Sequence, residues 1–288
     1  MPLRLAFIAV MMLFGTIGMI VRYIDFPSVV IAWARAFFGF AVILGYVLFY
    51  QRRHLDFEAI KANIKPLALV SVLLGTNWAL FFETFNHTTI AIGTICYYTA
   101  PFFLMLAAPI VFKEKLTLFK LTCVCFAFLG IVFTSGVFDD ELKPGIGIVF
   151  AVSAAVMYAT VIGANKFLKN ISAVDSTCVQ LAGAALVFLP YVALTTDFAA
   201  LDFSFKNVSL TLILAVVHTG FAYIVYFGCV RKLSAQDISL FSFLDPLVAV
   251  LLSIFVLAEP FTLWTLVGAI FILGATAAGE FFDQKHSG

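Results

Sequence analysis

The sequence predicts an all-α polytopic membrane protein: ten transmembrane helices arranged as two inverted five-helix repeats. Three observations carry this expectation: a large apolar excess, a series of long unbroken apolar runs, and a self-match at a spacing of 145 residues. Of the 288 residues 63% are hydrophobic and 11% charged, and the mean hydropathy is +1.10. A soluble domain averages about 45–50% apolar and about 25% charged residues, so this chain has more apolar surface than one water-facing fold can bury. That composition excludes a cytosolic enzyme and a disordered chain. With 17 Lys and Arg against 16 Asp and Glu, it also lacks the basic excess that holds a nucleic acid.

A spanning helix takes about 20 apolar residues, whereas a membrane barrel alternates polarity in segments of about 10. The runs here are continuous, which predicts helices over 3–24, 27–50, 66–86, 90–112, 117–135, 145–168, 173–194, 208–230, 235–257 and 261–282. The first has a weak charged start, Arg4 alone, and is long for a secretion signal, so it reads as a span. The second carries Arg35 inside it. The fourth and ninth hold Pro101 and Pro246 near their centres. The tenth has a small-residue stripe, Gly274, Ala275, Ala278 and Gly279, suited to close helix packing. Cys96, Cys123, Cys125, Cys178 and Cys229 all fall within spans and are odd in number, so they read as small packing residues rather than a disulfide or metal site.

Loop charge sets the orientation. One side holds Arg4, Arg52, Arg53, Lys61, Lys65, Lys113, Lys115, Lys120, Lys166, Lys169, Arg231, Lys232 and Lys285; the other holds Arg22, Lys143 and Lys206. Both termini are therefore expected in the cytoplasm, and the acidic turn Asp139-Asp140-Glu141 outside.

Shifting the chain by 145 residues places Gly75 on Gly220, Phe82 on Phe227, Pro101 on Pro246, Glu114 on Glu259 and Thr117 on Thr262. Apolar coincidences between membrane spans are cheap, but proline, glutamate and threonine at one common spacing are not. The first and sixth helices align more weakly, with Phe14-Gly15 on Tyr158-Ala159. The expected units are 1–143 and 144–288. Five is odd, so consecutive copies cross in opposite senses, and inverted repeats are a signature of secondary transporters.

On these residues the whole chain resembles the EamA-like branch of the drug/metabolite transporter superfamily. The shared features are two five-helix halves, each with a mid-helix proline followed by a helix-closing glutamate, and the arginine in Ile31-Ala32-Trp33-Ala34-Arg35. The resemblance implies a bacterial inner-membrane carrier that exports amino acids, other metabolites or drugs.

The candidate site follows from what lipid does not tolerate. Proline frees a carbonyl one turn back, so Pro101 and Pro246 must face protein or a cavity. Thr94, Tyr98 and Pro101 share one helical face, as do Ser239, Phe243 and Pro246, and the alternative for both sets is a packing kink. Asp245 lies at mid-membrane, where a charge costs at least ~2.5–3.5 kcal/mol, and its repeat partner is Ala100. It is expected to be protonated or paired, with His218 as candidate neighbour, and to serve substrate or proton. Arg35 and Glu83 are placed to meet in the outer leaflet as a structural pair, a gate or an anchor for a substrate carboxylate. Asn77, Trp78 and Tyr223 are candidates for stacking and hydrogen bonding to a ligand, or for helix packing. Asp237 reads as part of a capping box with Ser234, and Glu114 and Glu259 as braces for the turns into Thr117 and Thr262.

The expected function is a secondary exporter of a small metabolite working by alternating access, with proton coupling through Asp245. The alternatives are a drug or lipid extruder of the same fold and, remotely, an intramembrane enzyme using His218 and Asp245. No ATP-binding motif is present in the sequence, and no catalytic residue, metal or cofactor is expected. The partners are a small-molecule substrate and the bilayer, with a homodimer left open.

Single cysteines at Asp140 and at Arg53, in a cysteine-free background, should react with an impermeant thiol reagent from opposite sides of intact cells. Equal reactivity of both from outside would overturn the orientation.

Overall fold

A computed structural model describes residues 3–84, 86–87, 90–134, 145–257 and 263–286. Among these every regular element is helical. Eight helices are long and apolar enough to cross a membrane, which makes this a multi-pass membrane protein. They are α1 (Leu3–Val21), α2 (Ser28–Tyr50), α3 (Ile64–Thr84), α4 (Gly93–Phe112), α6 (Ile146–Asn165), α7 (Ala173–Thr195), α8 (Phe205–Val230) and α9 (Ala235–Val256). The other two, α5 (Leu118–Thr134) and α10 (Leu263–His286), are apolar over shorter stretches, Leu118–Phe133 and Leu266–Gly279. The acidic turn 139–141, with Lys143, Glu259 and Thr262, lies outside the described residues.

The packing follows the repeat. Helix α3 lies against α6 and α7, and its repeat counterpart α8 lies against α1 and α2. Helix α1 packs on the second part of α9 just as α6 packs on α4, while α2 and α7, α4 and α9, and α5 and α10 meet their own counterparts. Exchanging the two halves maps these contacts onto one another, as a pseudo-two-fold relation requires. Gly75 sets the spacing of α3 against α7. A methyl group on Gly75 would stand 2.9 Å from the carbonyl oxygen of Ala184 on α7. Its repeat partner Gly220 faces Gly39, the repeat partner of Ala184, with the Gly39 carbonyl 3.6 Å from where a methyl would sit. Trp33 Nε1 donates to the Ala185 carbonyl (3.1 Å), fastening α2 to α7.

The structure corrects the reading of α4 and α9 as continuous helices kinked at mid-helix prolines. Each is two helices end to end: Ile90–Tyr97 then Ala100–Ala107, and Ala235–Phe241 then Leu244–Leu257. Pro101 and Pro246 stand in the first turn of each second piece, where a missing N–H costs nothing because that donor has no partner within the helix. Hydroxyls close the breaks. Thr99 Oγ1 donates to the Cys96 carbonyl (2.6 Å) and Ser242 Oγ to that of Ile238 (2.7 Å). Helix α1 breaks at Thr16 in the same way, with Oγ1 donating to the Leu13 carbonyl (2.8 Å).

Gly75→Ala should lower the melting temperature in detergent. Its new methyl must displace backbone, and overpacking of that kind costs about 1–3 kcal/mol against a helix-propensity gain of about 1 kcal/mol. Gly274→Ala, where nothing lies within 4 Å, should be neutral or mildly stabilising.

Candidate functional site

Both helix breaks face one cavity of about 140 Å³, lined by Met11, Phe14, Ile17, Arg35, Trp78, Tyr97, Tyr98, Ala100, Pro101, Tyr158, Tyr223, Ser242 and Asp245. Seven helices from both halves contribute. Four pairs in the lining are repeat-related: Trp78 with Tyr223, Tyr97 with Ser242, Ala100 with Asp245 and, with the one-residue shift, Phe14 with Tyr158. The rings make a partial cage. Tyr97 stacks on Tyr158 (centroids 5.7 Å) and Phe14 meets Tyr223 edge-on (5.7 Å). The polar end is asymmetric, because Asp245 has only Ala100 as its counterpart and Arg35 has Gln180.

Asp245 stands in the first turn of Leu244–Leu257, where unpaired amides favour negative charge. Tyr98 Oη donates to its Oδ2 (3.2 Å), so a residue beside one break ties the carboxylate beside the other. Arg35 Nε donates to Thr219 Oγ1 (3.0 Å), which fixes the guanidinium against α8, and Arg35 and Asp245 attract each other electrostatically. The cavity thus offers a cation, an anion and aromatic faces, a combination suited to a small ligand carrying both charges.

Of the residues singled out from sequence, Arg35, Trp78, Tyr98, Pro101, Tyr223 and Asp245 line this cavity. Thr94, Ser239, Phe243 and Pro246 are not among the lining residues; on α9 the facing pair is Ser242 and Asp245. Ser239 spends its hydroxyl on the Ala235 carbonyl (2.7 Å), and Phe243 is fully buried in the core. The α9 break falls one residue earlier relative to the repeat than the α4 break, yet the repeat-related positions Tyr97 and Ser242, and Ala100 and Asp245, face the cavity in both. Asn77 lies behind the lining, donating to the Ala154 carbonyl (2.6 Å) and accepting from Tyr97 Oη (3.3 Å), so it holds α3 to α6 and orients a lining ring.

Two expected pairs do not form. His218 Nε2 bonds Thr16 Oγ1 (2.8 Å) rather than Asp245. Through this bond His218 fastens α8 to the break in α1. Glu83 accepts from Tyr191 Oη (2.7 Å) and meets His87 Nε2 (3.1 Å), a tie between α3 and α7 away from Arg35. The geometry places Arg35 deeper, beside Thr219. Tyr97, Tyr158 and Ser242 were not anticipated, although the match of Phe14 to Tyr158 and the 145-residue partner of Tyr97 pointed to them.

At the lysine-rich end the two halves are joined by ion pairs. Asp237 meets Lys120 (2.7 Å) and Arg4 (3.1 Å), and its amide is capped by Ser234 (3.0 Å). Glu114 meets Lys166 (2.6 Å) and accepts from the Ala235 amide (2.8 Å), so it caps the start of α9 in the other half rather than bracing its own turn. Arg53 meets Asp175 (3.0 Å). At the opposite end Lys206 meets Asp25 (2.8 Å) and holds that exposed carboxyl below its ordinary range. The pair therefore persists above the usual carboxylate range and is lost on acidification through the lowered value, with little effect on stability because both partners are in water.

A model described as the EamA-like transporter family matches the chain twice, over residues 3–136 and 145–278. Among curated relatives, the uncharacterized transporter YxxF of Bacillus subtilis is 27% identical over 84% of this chain and 78% of its own length. The uncharacterized transporter YoaV of the same organism is 23% identical over 93% of both chains. One crystal structure of a protein superposes with a TM-score of 0.83 over 98% of both chains at 14% identity, a likeness of fold.

Asn77→Leu should leave the cavity's charged residues in place and lower thermal stability. It takes the second bond from the Ala154 carbonyl, which keeps its partner within the helix, and strands the Tyr97 hydroxyl, a loss of about 1–3 kcal/mol for a buried group left unsatisfied. An unchanged melting temperature would contradict the packing role assigned to Asn77.

Proposed function

The chain belongs to the EamA-like transporter family, and from that premise we propose that this membrane transporter is a ten-span secondary carrier. In this reading two inverted five-helix halves export a small zwitterionic metabolite, an amino acid or similar, across the cytoplasmic membrane. The observation that carries the reading is the central cavity, because both halves build it and the broken helix of each half ends in it. Repeat-built midplane sites with discontinuous helices are how alternating access is achieved elsewhere. Arg35 takes the substrate carboxylate, Asp245 its ammonium group, and Trp78, Tyr158 and Tyr223 surround its apolar part. Arg35 and Asp245 serve both as binding groups and as gate, with Glu83 and His218 bracing the helices that move.

The inversion of the repeats rests on their odd helix number, and the cytoplasmic placement of both termini on the loop charges. With the lysine-rich end inside, the pairs around Asp237, Glu114 and Asp175 close the cavity toward the cytoplasm. Export then requires a second arrangement in which these inter-half pairs separate. Proton coupling resides in Asp245, where a proton and the substrate ammonium compete for one carboxylate next to Tyr98.

Asp245→Asn keeps the shape and removes the titration. In proteoliposomes the variant should lose accumulation driven by a pH gradient. If the ammonium also binds there, its affinity for zwitterionic ligands should fall at least tenfold. Unchanged affinity together with unchanged pH-driven accumulation would reduce Asp245 to a structural residue.

A further inference from the structure

A second space lies outside the transport path. Between α3, α4 and α6 runs an apolar groove of about 390 Å³, walled by Leu69 from α3, Val111 and Phe112 from α4, Gly163 and Ala164 from α6, and Phe167 just beyond it. Its lining is almost wholly hydrocarbon, and Leu69, Val111 and Phe167 are exposed at the protein surface. A groove of this kind on a membrane-spanning surface receives an acyl chain.

One end of the groove has a distinct charge. Each wall carries a lysine there: Lys65 lies four residues before Leu69 and so on the same face of α3, Lys113 directly follows Phe112, and Lys169 follows Phe167 by two. All three are exposed. Their backbones are held together by bonds that need no ligand. Asn63 Nδ2 donates to the Lys169 carbonyl (2.8 Å) while the Lys169 amide donates to Asn63 Oδ1 (2.9 Å), which brings Lys169 to the start of α3 two residues from Lys65. Lys166 Nζ lies 4.7 Å from the Phe112 ring centroid, closing α6 onto the end of α4 beside Lys113. Glu114, the acid adjacent to Lys113, is already engaged by Lys166 and the Ala235 amide.

We propose that the groove between α3, α4 and α6 is a binding site for one anionic phospholipid, its acyl chain along Leu69, Val111 and Gly163 and its phosphate among Lys65, Lys113 and Lys169. Basic pockets between spanning helices hold anionic headgroups, with each lysine near the surface contributing about a fivefold gain in affinity. Because α4 and α6 also wall the transport cavity through Tyr98 and Tyr158, the lipid supports the far side of that wall. The site stands whether or not the transport reading does.

The test uses the purified full-length chain in detergent, with dioleoylphosphatidylglycerol or dioleoylphosphatidylcholine added at equal mole fraction and bound lipid counted by native mass spectrometry. One phosphatidylglycerol should be retained in preference to phosphatidylcholine. The combined variant K65Q/K113Q/K169Q should lose that preference, on the order of a hundredfold in affinity, and Ala164→Phe, which fills the groove, should lose both lipids. Glycerol phosphate without chains should not compete. Equal retention of the two lipids by the unaltered protein, a preference that survives the triple substitution, or competition by free glycerol phosphate would each overturn the proposal.

Discussion

In hydrocarbon, every backbone amide and carbonyl must find its partner inside the protein. This constraint explains why every regular element among the described residues is helical, and it makes the breaks within spanning helices informative. At Thr16, at Tyr98-Thr99 and at Ser242-Phe243 a hydroxyl or a tight turn takes up the freed carbonyl, and the break is turned inward. Proline follows two of the breaks because the first turn of a new helix is where its missing donor is harmless. The breaks in α4 and α9 place Tyr98, Ala100, Ser242 and Asp245 around a common space.

Duplication supplies the scaffold, and departures from symmetry supply the chemistry. The main helix contacts and the lining pairs Trp78 with Tyr223 and Phe14 with Tyr158 repeat across the halves. The charges do not: Arg35 answers to Gln180 and Asp245 to Ala100. A symmetric cavity would present equivalent polar groups to either half, whereas this one puts a cation at one position and an anion at another. Among the described residues, four inter-half ion pairs lie at the lysine-rich end, where Lys120, Arg4, Lys166 and Arg53 find carboxylates on the facing half, against one, Lys206 with Asp25, at the other end.

The helices, the duplication and the candidacy of Asp245, Arg35, Trp78 and Tyr223, all of which line the cavity, were legible in the sequence, since hydropathy and a fixed spacing are one-dimensional signals. Facing was less so. Ser239 and Phe243 were assigned to the cavity by assuming an unbroken helix, whereas the α9 residues that line it are Ser242 and Asp245. Partner choice was less legible still. His218 and Glu83 found Thr16 and Tyr191, contacts spanning 202 and 108 residues of chain that no local pattern encodes. Glu114 looked like a local brace because its partners, Lys166 and the Ala235 amide, lie in the other half.

The central claim is that the two breaks open onto one shared cavity. Reactivity of single cysteines with a small hydrophilic methanethiosulfonate, in a cysteine-free background, addresses it directly. Cysteines replacing Ala100 and Ser242, one from each half, should both react. With both present, labelling the first should slow the second, because a cavity of this size does not admit two adducts. A cysteine replacing Ser239, one turn away and buried, should stay unreactive. Failure of both cavity positions to react, or independent labelling of the two at full rate, would contradict the claim.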